Sequence, residues 1–177
     1  MTGLPVIRYA RQEDVTLILR FIRAAAEEQL PGAEVTATEE RLASTLHFGP
    51  PTNAPLPPTR LARALLLFSS NAEPAGLLVF FYNYSTWAAA PGICLEELYV
   101  VPDYRQHGYG QMLIQAMACA AEAAGCIKMD WVCLKDNEKA LCFYDKVEAK
   151  RIDKWHVLKV DSEGIRRLAI NETWDWA

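Results

Sequence analysis

No Cys-x-x-Cys pair occurs in this chain, and its three histidines (His47, His107, His156) stand far apart, so no metal site is expected. The five cysteines are odd in number and lie inside apolar runs, which argues against a disulfide framework. Cations are outnumbered by carboxylates, 18 against 22, for a net charge of −4. A general nucleic-acid binder carries a basic patch, so no nucleic-acid partner is expected, and cationic partners are mildly favoured. No run of 18 apolar residues offers a membrane span, and the opening MTGLPVIRYARQED lacks the apolar stretch of a signal peptide. The expectation is a reduced, cytoplasmic protein with no membrane partner. Internal repeats are absent too, and 177 residues are most simply one domain over 1–177.

What is present reads as alternating short elements. PVIRYA (5–10) predicts a strand, followed by a helix from about Asp14 with Val15, Ile18, Leu19, Ile22 and Ala26 on one face. TATEERLASTL predicts a second helix opened by a Thr36–Glu39 capping box. Residues 47–59 hold five prolines and no periodicity, the pattern of a loop. LARALLLFS and GLLVFFYNY read as a hairpin, YSTWAAAPG as a loop, and ICLEELYVV (93–101) as a strand ending at Pro102. A helix from Gly110 to Ala124 closes at Gly125. KMDWVCL then predicts a strand, NEKALCFYDKV a helix, and AKRI with KWHVLKV a closing hairpin. The order implies a mixed sheet with helices packed on it.

Between a strand and a helix stands PDYRQHGYGQMLIQAM (102–117). Glycines so placed let backbone N–H groups approach an anion at the positive end of a helix. A tight strand-to-helix turn uses them equally well. A dinucleotide fingerprint would need glycine at 113, which is Leu113, and a P-loop would need Lys-Ser/Thr where Gln111 and Met112 follow Gly110.

RQHGYG (105–110) resembles the R/Q-x-x-G-x-G/A signature of the GCN5-related N-acetyltransferase (GNAT) family, and DNEKALCFYDKVEAK (136–150) resembles that family's Asn-then-Phe-Tyr helix. LEELYVVPDYRQHGYG is most similar to the diamine, polyamine and thialysine branch. The resemblance implies a GNAT fold of the α/β (mixed α+β) class, with a mixed central sheet of six to seven strands flanked by about four helices. It also implies acetyl-CoA, a small-molecule amine acceptor and a homodimer. Gln106, His107, Gly108, Tyr109, Gly110 and Gln111 would grip the pyrophosphate of CoA. Leu98, Tyr99 and Val100 would lend backbone groups to the acetyl carbonyl and pantetheine arm, which Asn137 would also meet. Arg105 would contact a CoA phosphate or solvate the loop.

Acetyl transfer from acetyl-CoA to an alkylamine of pKa about 10.4 needs a base for the ammonium proton and an acid for the departing thiolate. Glu96 matches the branch's water-mediated base and amine contact, and Glu97 its acidic neighbour. Strand alternation would aim these carboxylates at opposite faces of the sheet. Tyr144 matches the aromatic that reaches the CoA sulfur and would be the acid. Cys94, Cys133 and Cys142 have no histidine partner in sequence, so direct attack by the amine in a ternary complex is expected rather than an acyl-enzyme.

On the acceptor side, Trp87 matches an aromatic of the branch's site, Glu28 falls near an acceptor position, and Asp130 would add negative charge. Departures from the branch are Ser85-Thr86 before the tryptophan, Glu28-Gln29 for a tyrosine–acid pair, and Glu148 where a glycine is usual. The final hairpin is also shortened, with Asp153 and Lys154 at its tip. They leave the acetyl-CoA elements intact. The remaining alternatives are a GNAT acting on an amino acid, amino sugar, protein N-terminus or lysine, and a non-catalytic acyl-CoA-binding module.

Overall fold

A computed structural model describes residues 3–51 and 60–169, so the central prolines 55, 57 and 58 and the aromatic tail lie outside the described residues. The chain divides into two compact units, Met1–Leu141 and Cys142–Ala177.

In the first unit the strands are β1 (Val6–Tyr9), β2 (Leu46–His47), β3 (Ala62–Phe68), β4 (Pro74–Ser85), β5 (Ala90–Val100) and β6 (Met129–Asp130). They form one sheet in the order β1-β3-β4-β5-β6, with β2 against β3. The β2–β3 and β5–β6 pairs are parallel and the rest antiparallel. This is the mixed, α/β-class sheet expected, with five α-helices among the described residues rather than about four.

Helix α1 (Val15–Gln29) and helix α2 (Glu39–Thr45) belong to one face. There Ile18, Phe21 and Ala25 join Leu46, Ala64, Leu66, Leu77, Val79 and Tyr99 in one core. The buried stripe of α1 is turned slightly from the one its spacing predicts: Phe21 and Ala25 are buried, while Ile22 and Ala26 are half-buried. Tyr99 draws it round, with its ring centroid 5.6 Å from that of Phe21. The N-cap of α2 is Thr38, whose hydroxyl accepts from the Arg41 N–H at 3.2 Å. The Thr36–Glu39 box is therefore displaced by two residues.

On the opposite face lies α3 (Tyr109–Ala123), burying Leu113, Ile114, Met117 and Ala121. Gly76 of β4 lets it approach, since a Cβ there would sit 3.0 Å from the Tyr99 carbonyl oxygen and 3.1 Å from Leu113 Cδ1. The helix ends in a Schellman motif: the Gly125 N–H reaches Glu122 C=O and the Cys126 N–H reaches Ala121 C=O, with Gly125 at φ 69°. Burial is one-sided, because Cys119 and Ala123 remain exposed although they are apolar or small.

One predicted strand is shortened and one predicted hairpin is not formed. KMDWVCL pairs only through Met129 and Asp130. Residues 150–160 of the second unit form no strand, only a turn at Asp153–Lys154. Trp155, Val157 and Leu158 there are 70%, 77% and 89% exposed, so no neighbour covers an apolar face. An uncovered hairpin is marginal in water. The second unit instead contains α5 (Ser162–Ala169), and the boundary between the units falls within α4 (Glu138–Lys146).

Candidate active site

The site begins with a fault in β5. Val79 pairs with Glu97 but Phe80 pairs with Leu95, so Glu96 is the extra residue of a β-bulge. Strict alternation therefore breaks at this point. Leu95 shares a face with Phe80, whereas Glu97 shares the α1 face with Val79 and Tyr99. Glu96 is exposed at the kink, and its side chain has no hydrogen bond or ion pair among the described residues.

The bulge coincides with the departure of β6, which pairs only with Ile93 and Cys94. Beyond them this edge of β5 has no strand partner among the described residues. The Leu98 N–H is taken by Glu97 Oε1 at 3.2 Å, and the Val100 C=O by Arg105 Nε at 2.8 Å.

The chain then passes through a 3-10 turn, Pro102–Tyr104, into the glycine loop. Gln106 has φ 63° and Gly108 φ 80°. Glycine adopts this left-handed region freely, while a residue such as glutamine is held there at a cost of about 1–2 kcal/mol. Gly108 caps α3 with no side chain, and a Cβ on it would meet nothing within 4 Å. Among the described residues nothing accepts the N–H groups of residues 106–111, the first bond of the helix being Met112 N–H to Gly108 C=O at 3.0 Å. An open cradle of unclaimed N–H groups at the positive end of a 15-residue helix suits a pyrophosphate. The residues present therefore fit the phosphate end of CoA.

The last turn of α1 reaches both features. Gln29 Nε2 donates to Glu97 Oε1 at 3.2 Å. Glu97 Oε2 has no partner among the described residues. Burial pushes the Glu97 carboxyl above its ordinary range and the nearby Glu96 adds to this, while the Leu98 and Gln29 hydrogen bonds oppose it. Beside Gln29, Glu28 forms a two-point ion pair with the Arg105 guanidinium. Sequence marks Gln29 only as a departure from the branch and gives it no role, because its significance lies in a bond spanning 68 positions.

The sequence profile of the Acetyltransferase (GNAT) family matches residues 21–148, which includes the bulged strand, the loop and α3. The chain belongs to the GNAT acetyltransferase family. The thialysine N-epsilon-acetyltransferase of Bos taurus is 32% identical over 172 residues, covering 93% of this chain and 96% of that protein. Among solved structures, an integron cassette protein from the mobile metagenome of V. cholerae superposes with a TM-score of 0.73 at 18% identity, covering 97% and 99% of the two chains. A ribosomal-protein-alanine N-acetyltransferase from Brucella melitensis gives 0.68 at 17% identity, covering 90% and 99%. These two likenesses concern the fold. The chain is an N-acetyltransferase, and its transfer of acetyl to an amine accords with its curated relatives.

The other predicted residues of this acetyltransferase have separate local settings. Asp130 is committed to Lys128 Nζ and to Asn83 Nδ2, the latter at 3.0 Å. Trp87, 91% exposed, stands in the turn between β4 and β5, and the six strand steps from Ala90 to Glu96 place it roughly 20 Å from the bulge. Asn137 uses Oδ1 to cap α4, accepting from the Ala140 N–H at 3.1 Å. In the second unit Tyr144 is half-buried, its ring centroid 5.3 Å from that of Phe143. Burial pushes the Cys94 thiol up to about 11, with Asp130 and Glu96 adding to the shift, so it is no thiolate nucleophile at neutral pH. A groove of about 530 Å³ beside α3, lined in part by Tyr9, Leu65, Tyr82, Ala116 and Ala120, includes none of these residues.

Proposed function

We propose that this GNAT enzyme uses acetyl-CoA to acetylate the primary amine of a small cationic molecule, such as a diamine, a polyamine or a thialysine-like amino acid, by direct attack in a ternary complex. One observation carries the reading: unclaimed N–H groups at the start of α3 adjoin a bulged strand bearing one unpaired and one half-buried carboxyl group. When bound, acetyl-CoA supplies the thioester carbonyl and a thiolate leaving group.

The residues divide the remaining tasks. Backbone N–H groups of 106–111 hold the pyrophosphate, and the backbone of Leu98, Tyr99 and Val100, beyond the end of β6, borders the pantetheine arm, which Asn137 also meets. An alkylammonium is neutral in about one molecule in a few thousand at pH 7. Glu96, exposed at the bulge and unpaired, takes its proton through water, while Glu97 holds the cation with its free oxygen. Tyr144 returns a proton to the CoA sulfur. Glu28 and Asp130 already have basic partners, so the acceptor's charge falls to the adjacent pair on β5. The chain acts as one acetyltransferase domain over 1–177, in the cytoplasm, as a homodimer to which Trp87 adds an acceptor-side aromatic.

A second reading, a different amine, is favoured by the departures at Ser85, Thr86 and Gln29 and by the commitment of Glu28. Thiol release from acetyl-CoA, measured against spermidine, putrescine, thialysine, lysine, ornithine, amino sugars and peptides, separates the two. Selective turnover of small diamines, polyamines or thialysine supports the first reading. Turnover confined to sugars or peptides supports the second.

A further inference from the structure

Each of the three guanidinium nitrogens of Arg105 already donates within the protein. Nε bonds the Val100 carbonyl at 2.8 Å, and Nη1 and Nη2 grip the two carboxylate oxygens of Glu28. The guanidinium also lies over the Tyr99 ring, 5.8 Å from its centroid. That fork is the geometry arginine uses for phosphate, and here a carboxylate fills it. Pairing with Arg105 holds the Glu28 carboxyl below its ordinary range.

The backbone of Arg105 is pinned as well. Its N–H reaches the Pro102 carbonyl at 3.1 Å, and its own carbonyl meets His107 Nδ1 at 2.7 Å. The residue that follows, Gln106, is in the left-handed region at φ 63°, a strain that persists only where the surroundings over-determine it. Arg105 is thus the fixed post from which the anion-binding loop turns, and Glu28 braces it from α1, 77 positions away in sequence.

Resting on the acetyl-CoA reading above, we propose that Glu28 and Arg105 form a strut that positions the pyrophosphate loop, and that neither side chain contacts a substrate. Arg105 is then a positioning residue for CoA, and Glu28 is not part of the amine site. The two possible roles of Arg105 differ most sharply in what happens when Glu28 loses its charge. A phosphate-binding arginine is freed by that change; a strut is broken by it.

The test is CoA binding by titration calorimetry on the full chain, with the melting temperature and the KM for the amine recorded alongside. The proteins are wild type, Glu28→Gln, Arg105→Gln, the double variant, and the charge-exchanged pair Glu28→Arg with Arg105→Glu. The strut predicts that each single variant weakens CoA about tenfold. It also predicts that the double variant is no weaker than the worse single, because one shared contact is lost. The exchanged pair recovers part of the affinity, since it restores the ion pair while a carboxylate at 105 cannot donate to the Val100 carbonyl. If Arg105→Gln melts too low to titrate, Arg105→Lys, which keeps the charge but cannot fork, is expected to show the same loss.

The strut alone is overturned if Glu28→Gln binds CoA as tightly as wild type or more tightly while Arg105→Gln loses affinity. It is also overturned if Glu28→Gln leaves CoA binding unchanged and raises only the KM for the amine. Wild-type protein that binds no CoA at all overturns the acetyl-CoA reading first, and the strut with it.

Discussion

Glu96 and Glu97 are neighbours in sequence with different physics. One is exposed and unpaired at a bulge; the other is half-buried, with one oxygen held and one free. Because burial raises the Glu97 pKa, its ionisation completes only above the ordinary carboxylate range. As pH falls, kcat/KM is expected to decline earlier than an ordinary carboxylate would dictate. Gln29→Ala removes a hydrogen bond that favours the charged form, so it should move this acid limb to higher pH. A pH profile of kcat/KM checks this, and an unmoved limb would separate Glu97 from the reaction.

At the same scale Glu148 sits at φ 61° with its N–H on the Asp145 carbonyl, while the Ala149 N–H reaches the Tyr144 carbonyl. That is the Schellman position usually given to glycine. Glu148→Gly relieves the left-handed strain and is expected to stabilise the protein by about 1 kcal/mol, read from the urea midpoint.

Elements are joined by a few polar contacts that hold them at fixed angles. Between β1 and α1, Asp14 accepts from Arg8 Nη1 at 2.6 Å, Arg8 Nη2 at 2.8 Å and the Arg11 N–H at 2.7 Å. Its side chain is only 10% exposed. Asp14→Asn is expected to cost about 1.5–3 kcal/mol at neutral pH. The hydrogen bonds from Arg8, aided by the Arg11 N–H, lower the folded-state pKa of Asp14. Its contribution is therefore complete above the ordinary carboxylate range and is lost as pH falls through the lowered value. The stability gap between wild type and variant should narrow over that interval, and denaturation at a series of acid pH values measures it.

Across the sheet, α3 lies so close over Gly76 that a methyl group requires both the Tyr99 carbonyl and Leu113 to give way. Gly76→Ala is expected to cost about 1–3 kcal/mol. It should also raise the KM for acetyl-CoA, since the helix that moves carries the pyrophosphate cradle. Thermal denaturation and acetyl-CoA titration check the two effects separately.

For the whole molecule, the homodimer proposed above predicts a sedimenting mass of about 40 kDa, twice the chain mass of 19.9 kDa, at micromolar concentration. A species of 19.9 kDa throughout that range would refute it. Among the described residues no helix is long and apolar enough to cross a membrane.

Local chemistry determined the parts of this protein that the sequence discloses by itself. Short apolar runs bounded by turn residues predict β1, β3, β4 and β5, and 3.6-periodic apolar residues predict α1 and α3, because these are local patterns. The loop is equally legible, since Gly108 and Gly125 stand where the backbone turns left-handed. Only tertiary structure decided the rest. The bulge at Glu96 is a register shift against β4, and no property of LEEL announces it. The Glu28–Arg105 and Gln29–Glu97 contacts join residues 77 and 68 positions apart. KMDWVCL and KWHVLKV have strand composition, but a strand also needs a neighbour to receive its hydrogen bonds. That neighbour is supplied by the fold, not by the segment.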